Sequence, residues 1–514
     1  MKTLNILTTG AFATLLLLGS CTKDVDNPQG GGGEGGVVEG IPTYATVSLS
    51  QRTGAGTYVG PEDDYVNGTS QASDVEKKIT DAVVLVFNSD DVLENYVKFE
   101  DAELAAAPYA KIFATTTGKK RLYALANLGN YSKIEAIFNG QTAADKKLSN
   151  VCKVIQQIAD ISRATTDNKF WMSNVYKLGA TIEDQVTVQK GDENTNNFTI
   201  YIGRMVSKVT PTFAADLVIN SGDGTIETKD GTVVAEYRVR NNPKRFYTFP
   251  VYEGTQLISP YYNRTYDLPT PTDYDDANTK VGKNDFFDNG HEDGGNHTFV
   301  KAATDSYLTE NSPKEAKRHK VTFLSIKAKW IPNANALLLD ADGSIADDAA
   351  ATLKKITDAT DAVPAGNGGT FYRVQKWENG KIVGYCPGIY AETPDKWTDV
   401  GGTPGNGAGA LYTAVADRNA AKASVDACYL IVTYDQGMAY WAYWMRSRLD
   451  GTIAEKYALK RNNHYKVNII SVDGVGEPTE DDNLDKDEDL EADASMKATI
   501  EVLNWNVVDI EGGI

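Results

Sequence analysis

The chain has 514 residues, of which 41% are hydrophobic, and it carries a formal net charge of -19 at pH 7. Since this length exceeds what one compact core usually serves, we expect two domains with flexible ends. The acidity argues against nucleic acid or an anionic membrane surface as a partner, because either would repel the chain within about one Debye length. It suits a solvated protein that works outside the cell.

The N-terminus reads as a bacterial lipoprotein signal. A basic start at Lys2 precedes a short apolar stretch at 11–18, and residues 18–21 read Leu-Gly-Ser-Cys. The apolar stretch is too short to span a membrane, and small residues before a cysteine are typical of a lipobox. We therefore predict a signal peptide over residues 1–20 and lipidation of Cys21. Residues 21–43 are dominated by glycine and are expected to form a flexible tether.

The remaining cysteines do not form a disulfide framework. Once Cys21 is acylated, Cys152, Cys386 and Cys428 are left, which is an odd number. Each has apolar or aromatic neighbours, so we interpret all three as buried apolar residues.

Folding is expected to begin at Tyr44, where apolar and polar residues alternate as in a half-buried strand over residues 45–50. Arg52 follows directly in a glycine-bearing loop. Residues 143–161 have apolar residues at helical spacing and predict a helix, and Thr210-Pro211 is interpreted as a domain junction. Further strands are predicted at 81–87, 121–128, 198–209, 232–239, 321–330, 429–434 and 465–472. The pattern favours a mainly β chain with two β-sandwich domains in tandem, 44–210 and 211–476, and a few short helices.

The last segment, residues 477–514, combines an acidic stretch with a strand. Acidic residues dominate 477–493 and should keep this part extended as a linker. The chain then alternates again, with a slip of one residue that changes the buried face, so we expect two strand segments separated by a bulge or a change of sheet. The apolar positions are Met496, Ala498, Ile500 and Val502, followed by Leu503 and Trp505. A strand on a long linker can reach past its own domain.

No catalytic constellation is apparent, and we predict neither an enzyme nor a bound cofactor or metal. The polar run 285–297 contains His291 and His297, but it lacks the spacing of known zinc motifs, so a solvated loop is favoured over a cation site. Asp340 begins an Asp-Gly turn that departs from an EF-hand. His464 is interpreted as structural, and the aromatic run 440–444 as a core strand more than a sugar-stacking surface.

Several motifs, in order and across nearly the whole chain, resemble the Mfa-type fimbrillins of Bacteroidales, the major stalk subunits of a minor fimbrium. The resemblance does not extend to residues 251–425. The motifs are the lipobox at 18–21, the first strand with Arg52, Thr57-Tyr58-Val59-Gly60, Asn197-Phe198-Thr199-Ile200-Tyr201 with Arg204, Arg461 to Val467, Gly476-Glu477-Pro478 and Ala498 to Trp505.

The resemblance implies a transthyretin-like fold in both domains and assembly by donor-strand exchange. A lipoprotein precursor would reach the outer membrane, and an arginine-specific protease would cut after Arg52, so that Thr53 becomes the new N-terminus. Loss of strand 45–50 would open a groove, which the C-terminal strand of another subunit would fill through Met496, Ala498, Ile500, Val502, Leu503 and Trp505. The implied location is a cell-surface fimbrium that supports adhesion.

The implied partners are other copies of the chain, fimbrial anchor and tip subunits, the processing protease and, through the lipid, the outer membrane. Two alternatives remain open at this point. One is a surface lipoprotein that binds glycan, and the other is an anchor or tip subunit of the same fimbria. The combination of Arg52 with a terminal strand favours the stalk subunit, since a polymerising subunit needs both a removable first strand and a strand to donate.

Overall fold

A computed structural model describes the chain between residues 37 and 506. The described part excludes residues 52–65, 108, 141, 156–157, 160–163, 166–168, 175–184, 222, 244, 251, 254–255, 260–286, 289–297, 315–316, 319, 333–336, 341–352, 356–368, 386–388, 391–409, 413–420, 422–423, 425–426, 449–450, 481–489 and 491–495.

The first part of the chain is mainly β, with a few short helices among its described residues. Its elements are β1 (Pro42–Gln51), β2 (Val66–Gln71), α1 (Asp74–Lys77), β3 (Ala82–Phe87), β4 (Leu93–Lys98), β5 (Tyr109–Thr116), β6 (Gly118–Ala126), α2 (Ser132–Gly140), α3 (Leu148–Ile155), β7 (Ile158–Ala159), β8 (Met172–Asn174), β9 (Gln185–Val188) and β10 (Asn197–Arg204).

The second part is also mainly β, and several of its shortest strands form two-stranded ladders. Its elements are β11 (Ser207–Ile219), β12 (Gly224–Ile226), β13 (Thr228–Lys229), β14 (Thr232–Val233), β15 (Ala235–Arg240), β16 (Asn242–Pro243), β17 (Arg245–Phe246), β18 (Tyr252–Glu253), β19 (Gln256–Leu257), β20 (Phe287–Asp288), β21 (Val300–Lys301), β22 (Ser306–Leu308), β23 (Phe323–Pro332), β24 (Leu337–Asp340), β25 (Leu353–Lys355), β26 (Phe371–Glu378), β27 (Lys381–Tyr385), β28 (Ile389–Tyr390), β29 (Ala410–Tyr412), β30 (Cys428–Tyr434), a 3-10 turn (Asp435–Gly437), β31 (Met438–Trp444), α4 (Ile453–Lys456), β32 (Asn463–Val472) and β33 (Met496–Asn506).

The N-terminal core is built on one sheet with the strand order β4-β3-β6-β8-β10-β1-β5, in which β9 also pairs with β6. The most apolar strand is β3, whose six residues are all buried. Helices α2 and α3 contribute Ile134 and Val151 to the same core. Phe246 and Phe249, which come from the second part of the sequence, also pack into this core, so the two halves share an interface.

The second core lies among several sheets. One has the order β2-β33-β32-β11-β22, another is built around β23 with β15 and β31, and a third contains β26 and β30. Their inner faces meet around large aromatic side chains such as Trp330, Trp377 and Trp441, which are at most 2% exposed. The predicted fold class, a mainly β chain with sandwich-like packed sheets and few helices, is confirmed. Among the helices in the described ranges, none combines the length and the apolar character needed to cross a bilayer.

Several predicted element boundaries are wrong. The helix predicted over 143–161 spans only Leu148–Ile155, because Ile158 instead pairs with Phe246 in the short β7–β17 ladder. The strand predicted over 198–209 is two strands, β10 and β11, separated by a bend at 205–206. The segment 496–506 is one continuous strand, and the predicted slip appears as an irregular register between Val66 and Thr69 of the neighbouring β2.

The predicted junction at Thr210-Pro211 lies inside β11. Pro211 pairs with Val467 of β32 on one side, and the β22 ladder on the other side ends at Val209. Proline lacks an N–H group, so it is tolerated where one side of a strand has no ladder partner. The bend at 205–206, and not the proline, is therefore the place where the chain leaves the first sheet and enters the second.

Candidate functional site

The first strand is an internal strand of the N-terminal sheet. It runs antiparallel to β5, with Ala45 opposite Phe113 and Leu49 opposite Tyr109, and parallel to β10, with Val47 opposite Phe198. Both of its edges are therefore hydrogen-bonded. Its removal would leave a gap one strand wide between β5 and β10, with the ladder groups of both neighbours unpaired.

The inward face of β1 fills the core beneath this gap. Ala45 and Val47 are 0% exposed and Leu49 is 2% exposed, while Thr43 at the beginning of the strand is 6% exposed. The buried positions alternate with half-exposed Thr46 and Ser48, as the sequence predicted. Full burial of a side chain the size of Val or Leu stabilises the folded state by about 1.5–3 kcal/mol.

Polar contacts fix both ends of β1. At its beginning, the Thr43 hydroxyl donates to the carbonyl of Gly191 at 2.7 Å, and the Asn196 amide donates to the carbonyl of Tyr44 at 2.9 Å. At its end, the Gln51 amide donates to the carbonyl of Lys77 at 2.7 Å. The strand is thus held in one register, with Gln51 as its last residue.

The predicted processing and lipidation residues lie outside the described residues. Arg52 and Thr53 directly follow β1, and Cys21 precedes the described part of the chain. In the sequence, the predicted cut lies one residue after Gln51, which is the last residue of β1.

A buried ionic cluster anchors the chain after this region. Glu76 of α1 binds Lys208 of β11 at 3.3 Å, accepts a hydrogen bond from the hydroxyl of Tyr307 at 3.1 Å, and its carbonyl accepts one from Arg204 at 3.0 Å. Burial alone would raise the pKa of Glu76, but the backbone N–H of Ser73 and the charges of Lys208 and Arg204 outweigh it, so that this pKa is lowered. Burial lowers the pKa of Arg204 to about 10. The segment around α1 is therefore fixed to both sheets by contacts in addition to the one that it makes with Gln51 of β1.

The predicted polymerisation strand pairs within its own chain. In β33, Met496 lies opposite Val472, Ile500 opposite Val467 and Leu503 opposite His464, in an antiparallel ladder with β32. The other edge of β33 is covered by β2, which runs parallel to it. In this structure, the strand is thus an internal member of its own sheet.

The predicted donor residues divide between the two faces of β33. Met496 is 1% exposed and belongs to the second core, against which Ala498 and Ile500 also pack. Leu503 is 4% exposed and is not part of that core. The backbone of Val502 and Trp505 is described as part of the strand, whereas their side chains lie outside the description.

The alternative sites of the sequence find little geometric support. Within the described ranges, no group of three or more His, Cys, Asp or Glu residues could hold a metal ion. His291 and His297 lie outside these ranges, as do residues 341–352 after Asp340. Cys428 is a buried free thiol, as predicted, while the side chains of Cys152 and Cys386 are not described.

His464 has a structural environment. It is 6% exposed, and its Nε2 lies 2.6 Å from the hydroxyl of Thr210. Burial, with a further contribution from the charge of Lys208, lowers the pKa of His464 to about 4. The imidazole is therefore neutral at physiological pH.

Three of the four aromatic side chains in the run 440–444 face the interior, and Tyr440 is half-buried. Trp441 is 0% exposed, and Tyr443 and Trp444 are each 6% exposed. Trp441 packs near Trp330, and Trp444 packs near Phe323. Sugar stacking needs an exposed aromatic face, so these three side chains do not offer one.

Comparisons with protein families decide the assignment. A family model described as the major fimbrial subunit protein FimA matches residues 45–231. A second model, described as major fimbrial subunit protein type IV, fimbrillin, C-terminal, matches residues 432–511. The chain belongs to the fimbrillin family. The first match begins within β1 and the second includes both β32 and β33, so the fimbrillin models cover the two strands discussed above.

Solved structures give only distant similarity. The fimbrilin FimA of Porphyromonas gingivalis is 14% identical over 90% of this chain and 98% of its own, with a TM-score of 0.37. The tip fimbrial protein Mfa3 of Porphyromonas gingivalis, with a C-terminal truncation, is 12% identical over 90% of this chain and 100% of its own, with a TM-score of 0.35. No curated protein sequence matches the chain.

Membership in the family confirms the coarser predictions. The fimbrillin is a structural subunit of a cell-surface fimbria, and it is not an enzyme. Sequence reasoning missed two features that bear on assembly. One is the pairing of β33 with its own chain, and the other is a set of buried contacts at residues 474–480, where only the Gly476-Glu477-Pro478 motif gave a signal.

Proposed function

We propose that this fimbrillin is a stalk subunit that is exported as a lipoprotein precursor through Cys21, cut after Arg52 and polymerised by donor-strand exchange, supporting adhesion. One observation carries the proposal: β1 is an internal strand whose last residue, Gln51, is followed directly by Arg52. A cut there would leave β1 held only by noncovalent contacts. A strand from another subunit could then displace it.

The pattern of β33 fits the position of β1. If the donor runs in the same direction as β1, then Met496, Ala498, Ile500 and Val502 take the places of Thr43, Ala45, Val47 and Leu49. Ala498 then replaces Ala45, the smallest of the four buried side chains. Ile500 is one methylene larger than Val47 and Val502 is one methylene smaller than Leu49, so these two changes offset each other, whereas Met496 adds volume at the position of Thr43.

Exchange conserves the number of strand ladders, because the donor moves from one internal sheet position to another. The donor gives up one antiparallel and one parallel ladder in its own subunit and regains one of each in the acceptor groove, beside β5 and β10. The acceptor groove would otherwise expose unpaired backbone groups and apolar pockets. A separated processed subunit has one empty strand position between β5 and β10. Joining a neighbour fills this position and opens the position between β2 and β32 in that neighbour, so assembly is driven by the difference in free energy between the two positions.

The processed start of the chain is compatible with this scheme. The ion pair of Glu76 with Lys208 and the hydrogen bond that Arg204 donates to the Glu76 carbonyl hold the region after β2 to the rest of the subunit. A cut after Arg52 therefore need not release the mature chain from its sheets. The lipid on Cys21 would leave with residues 21–52. The polymer would then be free of the membrane, as a stalk subunit requires.

The test replaces the natural cut by a controlled one. In the variant Arg52→Ala with a sequence-specific protease site inserted after residue 52, polymer should form only after that protease is added. Ladders on unheated gels report assembly, and N-terminal sequencing of the wild-type polymer should begin at Thr53. Polymer that forms without the cut, or that retains residues 42–51, would contradict the proposal.

A further inference from the structure

Residues 474–480, immediately before the acidic linker, are attached to the rest of the subunit by buried contacts, as the segment around Glu76 is. The backbones of Tyr440 and Glu477 exchange two hydrogen bonds, of 2.9 and 2.8 Å, which add a short antiparallel bridge to the edge of β31. The indole of Trp441 donates to the carbonyl of Gly474 at 3.3 Å, and the hydroxyl of Tyr434 donates to the carbonyl of Gly476 at 2.9 Å. Four hydrogen bonds therefore tie this short segment to β30 and β31.

The glycine of the Gly476-Glu477-Pro478 motif is required by this contact. Gly476 has a φ of +77°, and a Cβ there would lie 2.6 Å from the Trp441 ring and 2.8 Å from the carbonyl oxygen of Tyr440. Any other residue would be strained in conformation and would also push the segment away from β31. The motif thus permits close docking of the backbone.

Two carboxylates complete the attachment. Glu477 accepts a hydrogen bond from the hydroxyl of Tyr385, whose pKa is raised by burial and by the charge of Glu477. Glu480 is 7% exposed, and it binds the guanidinium groups of Arg238, at 2.7 Å from Nε, and of Arg240. A buried carboxylate shared by two arginines on β15 is costly to withdraw, because both charges would be left in a low-dielectric site.

The contact described next along the chain, at Leu490, is apolar. Residues 481–495 are rich in Asp and Glu, and Leu490 is the residue among them whose burial is described. Leu490 packs in a small apolar cluster with Phe323, Trp444 and Tyr457, without any ion pair. An apolar contact of one side chain can open far more readily than the paired carboxylates before it.

We propose that Glu480 and Glu477 fix the base of the donor segment, so that only residues 481–506 leave the subunit during assembly. The inference rests on the proposed strand exchange. It specifies the attachment at Glu477 and Glu480 as the fixed point, or pivot, from which the donor segment extends. From this pivot, fifteen residues (481–495) precede β33. Such a linker spans at most about 50 Å when fully extended. The pivot thus sets the reach of the donor strand and the greatest separation of neighbouring subunits.

Two engineered disulfides in the full-length protein separate this inference from the proposed function. The pair Tyr440→Cys and Glu477→Cys joins the base of the segment to β31, and the pair Asn468→Cys and Thr499→Cys joins β33 to β32. Residues opposite each other in antiparallel strands are about 4.5–5.5 Å apart, which suits a disulfide. Mass spectrometry verifies closure, and the reduced form of each variant is its matched control.

The expected result is that the oxidised 440/477 variant assembles within about twofold of its reduced form, whereas the oxidised 468/499 variant does not assemble until it is reduced. Loss of assembly in the oxidised 440/477 variant, with the 468/499 result as expected, would move the pivot upstream and overturn the inference alone. Assembly of the oxidised 468/499 variant would show that β33 is not transferred and would overturn the proposed function.

Hydrogen exchange gives an independent readout at Glu480 itself. Peptides covering 474–480 should keep the same amide protection in the separated subunit and in the polymer, because their partners do not change. Loss of protection there in the polymer would show that the segment is withdrawn with the donor strand. The variant Glu480→Gln, which retains the size of the side chain, should reduce this protection in both states by a similar factor.

Discussion

Val467 of β32 lies opposite Ile500 of β33, inside a ladder that extends from Asn463 to Val472. The C-terminal strand thus completes the sheet of its own subunit. Under the proposed exchange, Ile500 has two alternative partners: Val467 before assembly, and the neighbours of Val47 in another subunit afterwards. Assembly then depends on how firmly the ladder with β32 of the same subunit holds β33.

Deleting residues 496–514 should abolish polymer extension and also lower stability. Met496 and Leu503 are almost fully buried, and their loss should cost about 3–6 kcal/mol in the free energy of unfolding. The melting temperature measured by calorimetry should fall by roughly 10 °C. When mixed with processed full-length protein, the truncated subunit should cap chains, which shortens the ladders on unheated gels.

Deletion of residues 507–514 alone is the matched control, because it leaves β33 intact. This variant should assemble normally and melt near the wild-type temperature. Polymer formed by the longer deletion would contradict the role of β33 as donor. Complete unfolding of that deletion would show that the strand is indispensable to its own sandwich.

The variant Cys21→Ala should remain unlipidated and stay in the periplasm, since the acyl anchor is the proposed means of membrane attachment. Metabolic labelling with a clickable fatty acid measures the modification, and Cys428→Ala, which alters a buried thiol, serves as the control that keeps the label. Incorporation of label into the Cys21→Ala protein would refute the lipobox interpretation.

Local pattern predicted much of the strand content. The alternation at 45–50 and the apolar run at 82–87 correspond to β1 and β3, because side-chain periodicity reports directly which faces are buried. The apolar spacing around Ile158 suggested a helix, yet this residue pairs with Phe246, which lies far away in the sequence. Such a long-range partner overrides local propensity and has no signature in a window of fifteen residues.

The site was predictable in its parts and not in its arrangement. The pattern predicted the strand β33, but periodicity does not reveal whether a strand lies at the centre or at the edge of a sheet, or in which subunit it pairs. The same limit applies to Glu480, whose acidic neighbours in the sequence suggested that it lies in a solvated linker. Its burial depends on Arg238 and Arg240, more than two hundred residues earlier in the chain, so it could be found only from the fold.

Stability should fall as the pH drops from about 6.5 to about 4, partly through His464. Its pKa is lowered to about 4 in the folded state, by burial first and by Lys208 and Lys466, with Asp305 and Glu76 opposing. An unfolded histidine has a pKa of about 6.5, so between these values the unfolded state binds more protons and gains relative stability. The contribution is on the order of 3 kcal/mol.

Thermal melts of the wild type and of His464→Gln over this pH range measure the effect. The variant should lose less stability on acidification, because glutamine does not titrate, and the difference should level off below about pH 4. Equal pH dependence in both proteins would contradict the prediction. Since His464 lies opposite Leu503, acid should also weaken the pairing of β33.

Replacing Leu490 by serine should accelerate assembly of the processed subunit. Leu490 is 4% exposed and packs with Phe323 and Trp444. Losing this contact should make release of the donor segment easier by about 2 kcal/mol, which corresponds to roughly a 30-fold larger released population. Light scattering after the cut measures the rate.

The variant Leu490→Met, which keeps an apolar side chain of similar size, is the control and should assemble at the wild-type rate. An unchanged rate of assembly in Leu490→Ser would show that Leu490 does not restrain the strand.

The proposed register can be tested by a disulfide between subunits. If Ala498 takes the place of Ala45, then Thr499 takes the place of Thr46, which lies opposite Ile112 of β5. Ile112 is 55% exposed, so this pair lies on the outer face, where a disulfide should not disturb the core. In the separated subunit Thr499 pairs with Asn468 in a different sheet, so a bond to residue 112 should form only between subunits.

Polymer of the variant Ile112→Cys with Thr499→Cys should therefore give a covalent ladder that survives boiling without reductant. Pairing Ile112→Cys with Lys497→Cys or Glu501→Cys provides matched controls. These positions lie on the same face but are displaced by two residues, at about 7–8 Å, where disulfides form poorly. A stronger ladder from either control would mean that the donor is shifted by two residues, so that Ala498 does not lie at the position of Ala45. Absence of a ladder from all three pairs, in polymer that still forms, would mean that β33 does not occupy the place of β1.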